Sequence, residues 1–333
     1  MKIPLASLLL LILSLCGSAQ QHSLPLRVES DVPLSGGSSR FDYQSMAEAT
    51  GRLYIAHLGA DSMIVFDTKT GTVVGEVKDL KRVHGVLAVP ELHRVFASAT
   101  GTNELVAIDD RTLQIQARIS AGDYPDGIAY ASKEGKLYVS DLHGKTDTVI
   151  DPVNNRVVAT IPLGGGAGNT QYDEDADRIY VTVHGTNQLA EIDPKTDAVS
   201  ARIGLPGCLG SHGLLLDQER RLAFVACEEN AKLAVVDLTA KKMTAIHSVG
   251  SDPDVLAFDR GLKRLYVSAE SGVVTILDEQ DRDLSEVGQK FFAKNAHSVS
   301  VDQTTHRVYF PLNDVGGKPV LRITMPSDKQ TSK

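Results

Sequence analysis

The chain has 333 residues, with 34 lysines and arginines against 42 aspartates and glutamates, so its formal net charge at pH 7 is −8. An acidic chain without a basic stripe binds phosphate backbones and anionic membrane surfaces poorly, which excludes nucleic acid as an expected partner. The chain is long for one domain, and a repeated architecture accounts for such a length without a second core.

The first nineteen residues predict a signal peptide. Lys2 gives a positive start, residues 3–15 form an apolar run, and residues 17–19 are small, as a cleavage site requires. This run is too short to span a bilayer, so no transmembrane segment is expected. Lipidation of Cys16 is an alternative, but Leu15 stands where a small residue should precede that cysteine. We therefore expect an exported protein, periplasmic or secreted, that begins at Gln20.

A short phrase recurs seven times along the rest of the chain. It joins a basic residue, an apolar residue, an aromatic residue and a further small or apolar residue, as in Arg52-Leu-Tyr54-Ile55. The aromatic positions are 42, 42, 42, 44, 42 and 43 residues apart, and a period of this size predicts a β-propeller. The seven aromatic residues are Tyr54, Phe96, Tyr138, Tyr180, Phe224, Tyr266 and Tyr309.

Each unit contains four strand-like runs. In the third unit these are residues 127–130, 137–140, 148–151 and 156–161, all rich in β-formers and separated by turn residues. In six units the third strand ends in an aspartate, whose short carboxylate is suited to bonding the backbone N–H groups of the following turn. These are Asp67, Asp109, Asp151, Asp193, Asp237 and Asp278.

The last unit lacks its fourth strand. Residues 26–34 match the fourth-strand pattern seen in residues 156–163, so the N-terminal strand is expected to complete the seventh blade. Such a ring has no unpaired sheet edge at its seam. The sequence therefore predicts an all-β, seven-bladed β-propeller with four-stranded blades, formed by one domain over residues 20–326 and followed by a polar tail, residues 327–333.

The repeat resembles that of a known family. Gly122-Asp-Tyr-Pro-Asp-Gly127 with Lys136-Leu-Tyr-Val, and the equivalent phrases that begin at Gly250 and Arg264, resemble the YVTN-type β-propeller repeat. The resemblance covers residues 25–325 and is greatest to secreted bacterial YncE-like proteins. The chain has no Trp, which excludes the WD40 repeat. The resemblance implies the fold but leaves the function open, because such propellers serve both as binding platforms and as enzymes.

Two cysteines remain once the signal peptide is removed. Cys208 precedes the first strand of the fifth unit and Cys227 ends its second strand, two places that fall on the same face of a propeller. In an oxidising compartment we favour a disulfide between them. A metal site shared with His212, or two free thiols, are the alternatives.

Titratable residues recur at the entry to the innermost strand, twelve residues before each aromatic position. These entries are expected to face the mouth of the central channel. Aspartate also suits the turn at this place, but a turn gains nothing from an imidazole, so the three histidines favour a ligand site. The seven positions are Asp42, His84, Asp126, Gly168, His212, Asp254 and His297.

The loops after the second strands open on the same face. Their polar residues are expected to surround the ring, and Arg40 and Arg82, two residues ahead of the first two ring positions, are the cations placed to bind an anion there. The loop residues are His57, His143, His184, Glu228 and Glu270, with Asp141, Glu229 and Asp314.

Three functions fit this pattern. The first is an exported, monomeric binding protein whose mouth holds a small molecule or a protein ligand. The second is a metal-dependent lyase or hydrolase, with His84, His212 and His297 holding Zn, Mn, Fe or Ca and an aspartate of the ring as acid–base partner. The third is a protein-interaction scaffold in the envelope that uses the outer loops. The sequence leaves open whether the protein is catalytic and whether it takes a cofactor.

Overall fold

The computed structural model describes residues 24–327. The predicted signal peptide at residues 1–19, Cys16 and residues 328–333 of the tail lie outside the described residues. Within residues 24–327 the chain forms 28 β-strands and four short 3₁₀ helices. The 3₁₀ helices are Leu58–Ala60, Pro90–Leu92, Thr100–Thr102 and Glu228–Asn230.

The strands form seven four-stranded antiparallel sheets, which are the blades of a propeller. In the first six blades the chain runs from the innermost strand outward, and neighbouring innermost strands contact one another around the ring. The first three blades are β2 to β5 (Gln44–Ala47, Arg52–His57, Ser62–Asp67, Thr72–Val77), β6 to β9 (Val83–Val89, Arg94–Ala99, Glu104–Asp109, Ile115–Ser120) and β10 to β13 (Pro125–Ala131, Lys136–Asp141, Thr146–Asp151, Arg156–Pro162).

The remaining blades repeat this order. The fourth, fifth and sixth blades are β14 to β17 (Gly166–Asp173, Arg178–His184, Gln188–Asp193, Ala198–Gly204), β18 to β21 (Ser211–Asp217, Leu222–Cys227, Lys232–Asp237, Lys242–Ser248) and β22 to β25 (Pro253–Asp259, Arg264–Ala269, Val273–Gln280, Asp283–Phe291), and the seventh contains β26 to β28 (Ser300–Val301, Val308–Val315, Lys318–Pro326).

The N-terminal strand β1 (Leu26–Pro33) is the outermost strand of the seventh blade. It pairs antiparallel with β28, with Leu26 opposite Pro326 and Pro33 opposite Val320. The prediction that the N-terminal strand completes the last blade is confirmed, and with it the seven-bladed all-β fold. The two ends of the domain are therefore held in one sheet.

Apolar packing between blades holds the ring together. Within the described residues the buried side chains form seven clusters, one at each junction of neighbouring blades. All seven repeated aromatic residues are at most 1% exposed, because the second strand of each blade is covered on both faces. At the junction of the seventh and first blades, Tyr309 and Leu321 pack with Leu53 and Ile55.

The aspartates that end the third strands form the turns as expected in five blades. Asp67 Oδ1, for example, accepts the backbone N–H groups of Lys69 at 2.9 Å and Thr70 at 2.8 Å. The turn prediction is wrong for Asp278, whose Oδ1 instead accepts Arg264 Nε at 2.7 Å. The five turn formers are Asp67, Asp109, Asp151, Asp193 and Asp237.

Cys208 and Cys227 are joined by a disulfide, with their Cα atoms 5.2 Å apart. The bond ties the segment before β18 to the last residue of β19 and closes a loop over a sequence separation of 19 residues. It confirms the favoured pairing, so neither thiol is free or available to a metal. Glu228 follows Cys227 directly, and His212 lies four residues beyond Cys208, so the bond fixes the backbone beside two ring-face residues.

Replacing both cysteines by alanine is expected to lower the free energy of unfolding by about 2–4 kcal/mol, because the unfolded chain regains the entropy of an open loop. Urea unfolding of the oxidised wild type and of the double variant measures the difference. Reduced wild-type protein is the matched control and should unfold together with the variant. An unchanged urea midpoint in the double variant contradicts the expectation.

Candidate functional site

Five of the seven ring positions lie in β-bulges of the innermost strands, and the other two, Asp42 and His297, lie just before β2 and β26. Between β10 and β11 the register shifts from Pro125 to Ile128, which leaves Asp126 and Gly127 outside regular pairing. A bulge bends the strand and re-aims the side chain of its extra residue, here toward the channel mouth. The same shift occurs in the second to sixth blades and contains His84, Asp126, Gly168, His212 and Asp254.

Hydroxyl groups on the second strands hold these bulges in place. Ser98 Oγ accepts the backbone N–H of Gly85 at 2.7 Å and donates to the carbonyl of Asp126 in the next blade, also at 2.7 Å. Each such hydroxyl therefore joins the bulge of its own blade to that of its neighbour. The repeat pattern alone does not single out these residues, although each lies two residues after a repeated aromatic position: Ser98, Ser140 and Thr182.

The mouth of the channel is a cavity of about 1010 Å³. Side chains from the first six units line this cavity, so no single blade forms the site. Tyr43, Tyr124, Lys145 and Asp252 also line it and were not predicted. Ten sequence-predicted residues line this cavity: Arg40, Asp42, His84, Asp126, His143, His184, His212, Glu228, Asp254 and Glu270.

Six of the predicted titratable residues do not line the cavity: His57, Arg82, Asp141, Glu229, His297 and Asp314. His57 is fully buried, stacks on Phe41 with ring centroids 4.0 Å apart and lies with Nε2 2.9 Å from Ser39 Oγ, so its placement at the mouth is wrong. Arg82 lies over the ring of Tyr124, 5.8 Å from its centroid. His297 is buried below the cavity surface, 1% exposed, beside residues that do line it.

Arg40 is paired with carboxylates rather than free for an anion. Its guanidinium lies 3.4 Å from Asp42 Oδ2 and 3.8 Å from Asp254 Oδ2, and it also forms an ion pair with Glu270. Burial opposes its charge, but these carboxylates outweigh burial and raise the pKa of Arg40 above its ordinary value. The positive charge of Arg40, which was expected to bind an anion, is therefore already neutralised by carboxylates of the protein itself.

His212 lies between two carboxylates. Its Nε2 is 3.4 Å from Asp126 Oδ2 and its Nδ1 is 3.6 Å from Glu228 Oε1. Burial disfavours the charged ring, but Glu228 and Asp126 together raise the pKa of His212 to about 10. At neutral pH this histidine is a cation, and both of its nitrogens are donors.

His84 has the opposite character. Its Nδ1 lies 2.8 Å from the carbonyl oxygen of Arg82 and therefore carries the ring proton, while Nε2 lies 3.1 Å from the hydroxyl of Tyr124. Burial lowers the pKa of His84, so the ring is neutral at pH 7. An unprotonated nitrogen thus faces a tyrosine hydroxyl at the cavity wall. The ring of His143 lies on the other side of this tyrosine, 4.4 Å from it.

The base of the cavity is acidic. Burial raises the pKa of Asp42 to about 8, against the opposing influence of Arg40, and raises the pKa of Asp254 to about 7. Tyr43 OH lies 3.4 Å from Asp254 Oδ1 and also lines a smaller cavity of about 310 Å³ further along the channel. Asp126 Oδ1 is buried without a hydrogen-bond partner. The site therefore contains more carboxylate than its own cations satisfy.

The side chains that lie close enough together to share a metal ion are two carboxylates and one histidine in each case. Among residues 24–327, two sets of three side chains have ligand atoms within 4.8 Å of one another, and Asp254 belongs to both. The predicted set of three histidines is not brought together, since His84 is in neither group. The two sets are Asp42, Asp254 and His297, and His212, Glu228 and Asp254.

Asp141, which was expected in the mouth, is buried instead inside the third blade. Its Oδ2 accepts the hydroxyls of Thr146 at 2.8 Å and Thr148 at 2.6 Å, and burial raises its pKa to about 6. Asp147 lies beside it, is fully buried, and has its pKa raised well above 3.8, first by burial and then by Asp141. The pair is an internal feature of the blade rather than part of the cavity.

Replacing Asp147 by asparagine is expected to stabilise the protein at pH 7 by about 1–3 kcal/mol. The unfolded chain releases this proton above pH 3.8, whereas the folded chain retains it, so stability is lost as the pH rises above 3.8. Urea unfolding at pH 4 and pH 7.5 should show the gain only at the higher pH. The exposed Asp175→Asn variant is the control, and an equal gain at both pH values contradicts the assignment.

No protein-family model matches the chain. It is 22% identical over 240 residues, 67% of either chain, to the uncharacterized protein YncE of Salmonella typhimurium, and equally to that of Salmonella typhi. Among solved structures it resembles the Kuenenia stuttgartiensis hydrazine synthase, with a TM-score of 0.74 and 16% identity over 95% of this chain and 99% of that one. It also resembles U3-55K, with a TM-score of 0.75 and 10% identity over 90% and 98% of the two chains.

Fold and site together define the class: a seven-bladed β-propeller protein with an acidic, histidine-containing channel mouth. The repeat phrases and the similarity to the Salmonella chains agree on the kind of propeller. The chain is a seven-bladed β-propeller protein that is similar to the YncE proteins of Salmonella. Within the part of the chain that the structure describes, none of the helices has the length and apolar character needed to cross a membrane.

Proposed function

We propose that this protein is an exported binding protein whose channel mouth takes a small, positively charged ligand. Support for export comes from the signal-like residues 1–19 and from the disulfide, a bond typical of oxidising compartments. Support for the charge of the ligand comes from the side chains that line the cavity. The ligand's volume is bounded by the cavity of about 1010 Å³, the size of a small-molecule site.

One observation carries the charge assignment: carboxylates from four blades converge on the cavity, and they outnumber its cations. Its cations are three: Arg40, Lys145 and the protonated ring of His212. Arg40 is already shared among three of the carboxylates. Buried negative charge that lacks a partner favours a ligand that brings positive charge. The six carboxylates are Asp42, Asp126, Glu228, Asp252, Asp254 and Glu270.

The cavity wall supports the same assignment. Tyr124 stands between His84 and His143, with ring centroids 5.1 Å and 4.4 Å away, so one side of the cavity is aromatic. Aromatic faces attract ammonium groups through their negative π-surfaces. A ligand that combines a cationic group with a short apolar body would contact both the wall and the carboxylates.

A thermal-shift comparison of two probes tests this function. The probes are 1,4-diaminobutane and succinate, which match in length and differ in the sign of their charge. The diamine is expected to raise the melting temperature, less so in Asp126→Asn, while succinate has no effect. Glu286→Gln, an exposed substitution on the outer strand β25, serves as the control and should respond like the wild type. Stabilisation by succinate, or an undiminished diamine shift in Asp126→Asn, refutes the proposal.

Arg40→Gln is expected to raise the affinity for the diamine about tenfold. The guanidinium of Arg40 occupies the carboxylates that the ligand needs, so its removal frees Asp42, Asp254 and Glu270 for the ligand. Titration calorimetry against the wild type measures the change. Lys145→Gln is the comparison, because this residue lines the cavity without a recorded ion pair. Weaker binding in Arg40→Gln would mean that the arginine contacts the ligand instead of competing with it.

Metal-assisted hydrolysis or elimination is a second candidate, and the His84–Tyr124 pair is the observation that favours it. A neutral imidazole whose free Nε2 faces a hydroxyl at 3.1 Å can accept a proton from a substrate through that tyrosine. His84 then acts as a base and not as a metal ligand. In this case His84→Gln abolishes turnover of a bound substrate while its affinity is retained, and turnover kinetics separate the two roles.

A further inference from the structure

Two aspartates and one histidine from adjoining blades meet at the base of the mouth cavity. Asp42 belongs to the first blade, Asp254 to the sixth and His297 to the seventh, so the three side chains straddle the place where the ring closes. Their ligand atoms lie within 4.8 Å of one another, and each residue is at most 5% exposed. Two carboxylates and an imidazole at this spacing can share one cation.

The histidine of this group has an unused nitrogen. His297 is 1% exposed, and its Nε2 is buried without a hydrogen-bond partner. Its Nδ1 lies 3.3 Å from the Asn295 carbonyl oxygen, to which Nδ1–H donates in the tautomer that leaves Nε2 unprotonated; Asn295 Nδ2 at 3.0 Å and Glu270 Oε2 at 3.8 Å also lie beside Nδ1. A histidine whose first nitrogen is fixed by a second group and whose other nitrogen is free has the arrangement of a metal ligand.

We infer that a divalent metal ion binds between Asp42, Asp254 and His297. This site rests on the proposed function, since the metal is one form of the cationic ligand of the mouth. Carboxylate and imidazole donors suit Mn²⁺, Fe²⁺ or Zn²⁺, whereas Cu⁺ prefers sulfur. Three protein ligands leave coordination positions for water or for a substrate in the cavity.

The second group of possible ligands is a weaker candidate. Both ring nitrogens of His212 already face carboxylates, at 3.4 Å and 3.6 Å. A metal there would have to displace two charge-assisted contacts, whereas one ring nitrogen of His297 has no hydrogen-bond partner. The group that contains His297 is therefore favoured over the group that contains His212.

Arg40 lies at the same two carboxylates. Its Nη2 lies 3.4 Å from Asp42 Oδ2 and 3.8 Å from Asp254 Oδ2, where it supplies the positive charge that the metal would bring. Its Nη1 is paired with Glu270, which keeps a partner for the guanidinium when the metal takes the two aspartates. Metal binding thus exchanges one cation for another at the same carboxylates.

Mn²⁺ titration of protein dialysed against EDTA tests this site by electron paramagnetic resonance. One Mn²⁺ per chain is expected, with a nitrogen coupling from the imidazole in its pulsed spectrum. His297→Gln should remove the nitrogen coupling and weaken binding at least tenfold. His247→Gln, which removes a histidine on the outer strand β21, should change neither value.

Each outcome decides the matter. Stoichiometric Mn²⁺ that keeps its nitrogen coupling in His297→Gln overturns the ligand assignment. Absence of Mn²⁺ binding, in protein that 1,4-diaminobutane still stabilises, overturns the metal site and leaves the cation-binding function standing; absence of both effects refutes both. If His297→Gln does not fold, Asp254→Asn decides instead, because it should retain the nitrogen coupling and lose at least tenfold in affinity, and an unchanged affinity contradicts the site.

Discussion

A mature chain that lacks residues 20–36 is expected to aggregate and to melt at a much lower temperature than the intact protein. The deletion removes β1, which pairs with β28 from Leu26 opposite Pro326 to Pro33 opposite Val320. The outer edge of β28 then presents unpaired N–H and C=O groups to other chains. The deletion also removes Leu34, which packs in the cluster between the seventh and first blades. The deletion therefore exposes a sheet edge and weakens the packing between the seventh and first blades.

Size-exclusion chromatography with light scattering and a thermal melt measure this effect. Val28→Thr is the matched control, because Val28 lies on β1 and is 48% exposed, so its replacement should alter neither value. A truncated chain that stays monomeric and melts at the temperature of the intact protein would show that the N-terminal strand does not close the ring.

Asp42→Asn/Asp254→Asn is expected to reduce the affinity for 1,4-diaminobutane at least about 100-fold. A hydrogen bond to a charged group contributes about 1.5–3 kcal/mol, so each lost carboxylate removes about a factor of ten or more. Both aspartates are almost fully buried at the base of the cavity, where solvent screens their charge least. Neutral amides of the same shape preserve the packing around them. Titration calorimetry at pH 9, above the raised pKa values of Asp42 and Asp254 so that both carboxylates are charged, measures the loss, with Glu286→Gln beside the variant.

An intact disulfide and an unchanged far-ultraviolet spectrum show that the double variant is folded. If the variant is folded and still binds the diamine within about threefold of the wild type, the ligand does not use these carboxylates.

The sequence predicts the fold because every unit repeats the same information. The seven aromatic residues mark buried second strands, and the fourth-strand pattern at residues 26–34 identifies the closing strand without any knowledge of contacts. The disulfide follows in the same way, since strand order places Cys208 and Cys227 on one face. These predictions depend on positions along strands, which a regular repeat determines.

Side-chain directions at the mouth are less predictable. The ring positions follow from the repeat, but their bulges decide where each side chain points, and a bulge depends on hydroxyls such as Ser98 that belong to the preceding blade. Loops after the second strands also differ: His143 lines the cavity, whereas His57 ends its strand and turns inward against Phe41. The sequence does not show that Arg40 is paired, because two of its three carboxylate partners, Asp254 and Glu270, belong to the sixth blade.

A crystal structure of the oxidised protein grown with 1,4-diaminobutane tests the cation site most directly. Density for the diamine is expected in the mouth cavity, with one ammonium group within hydrogen-bond distance of Asp42 and Asp254 and the guanidinium of Arg40 withdrawn toward Glu270. An unchanged Arg40 and an empty mouth, at a diamine concentration that saturates the calorimetric titration, would contradict the proposed cation site.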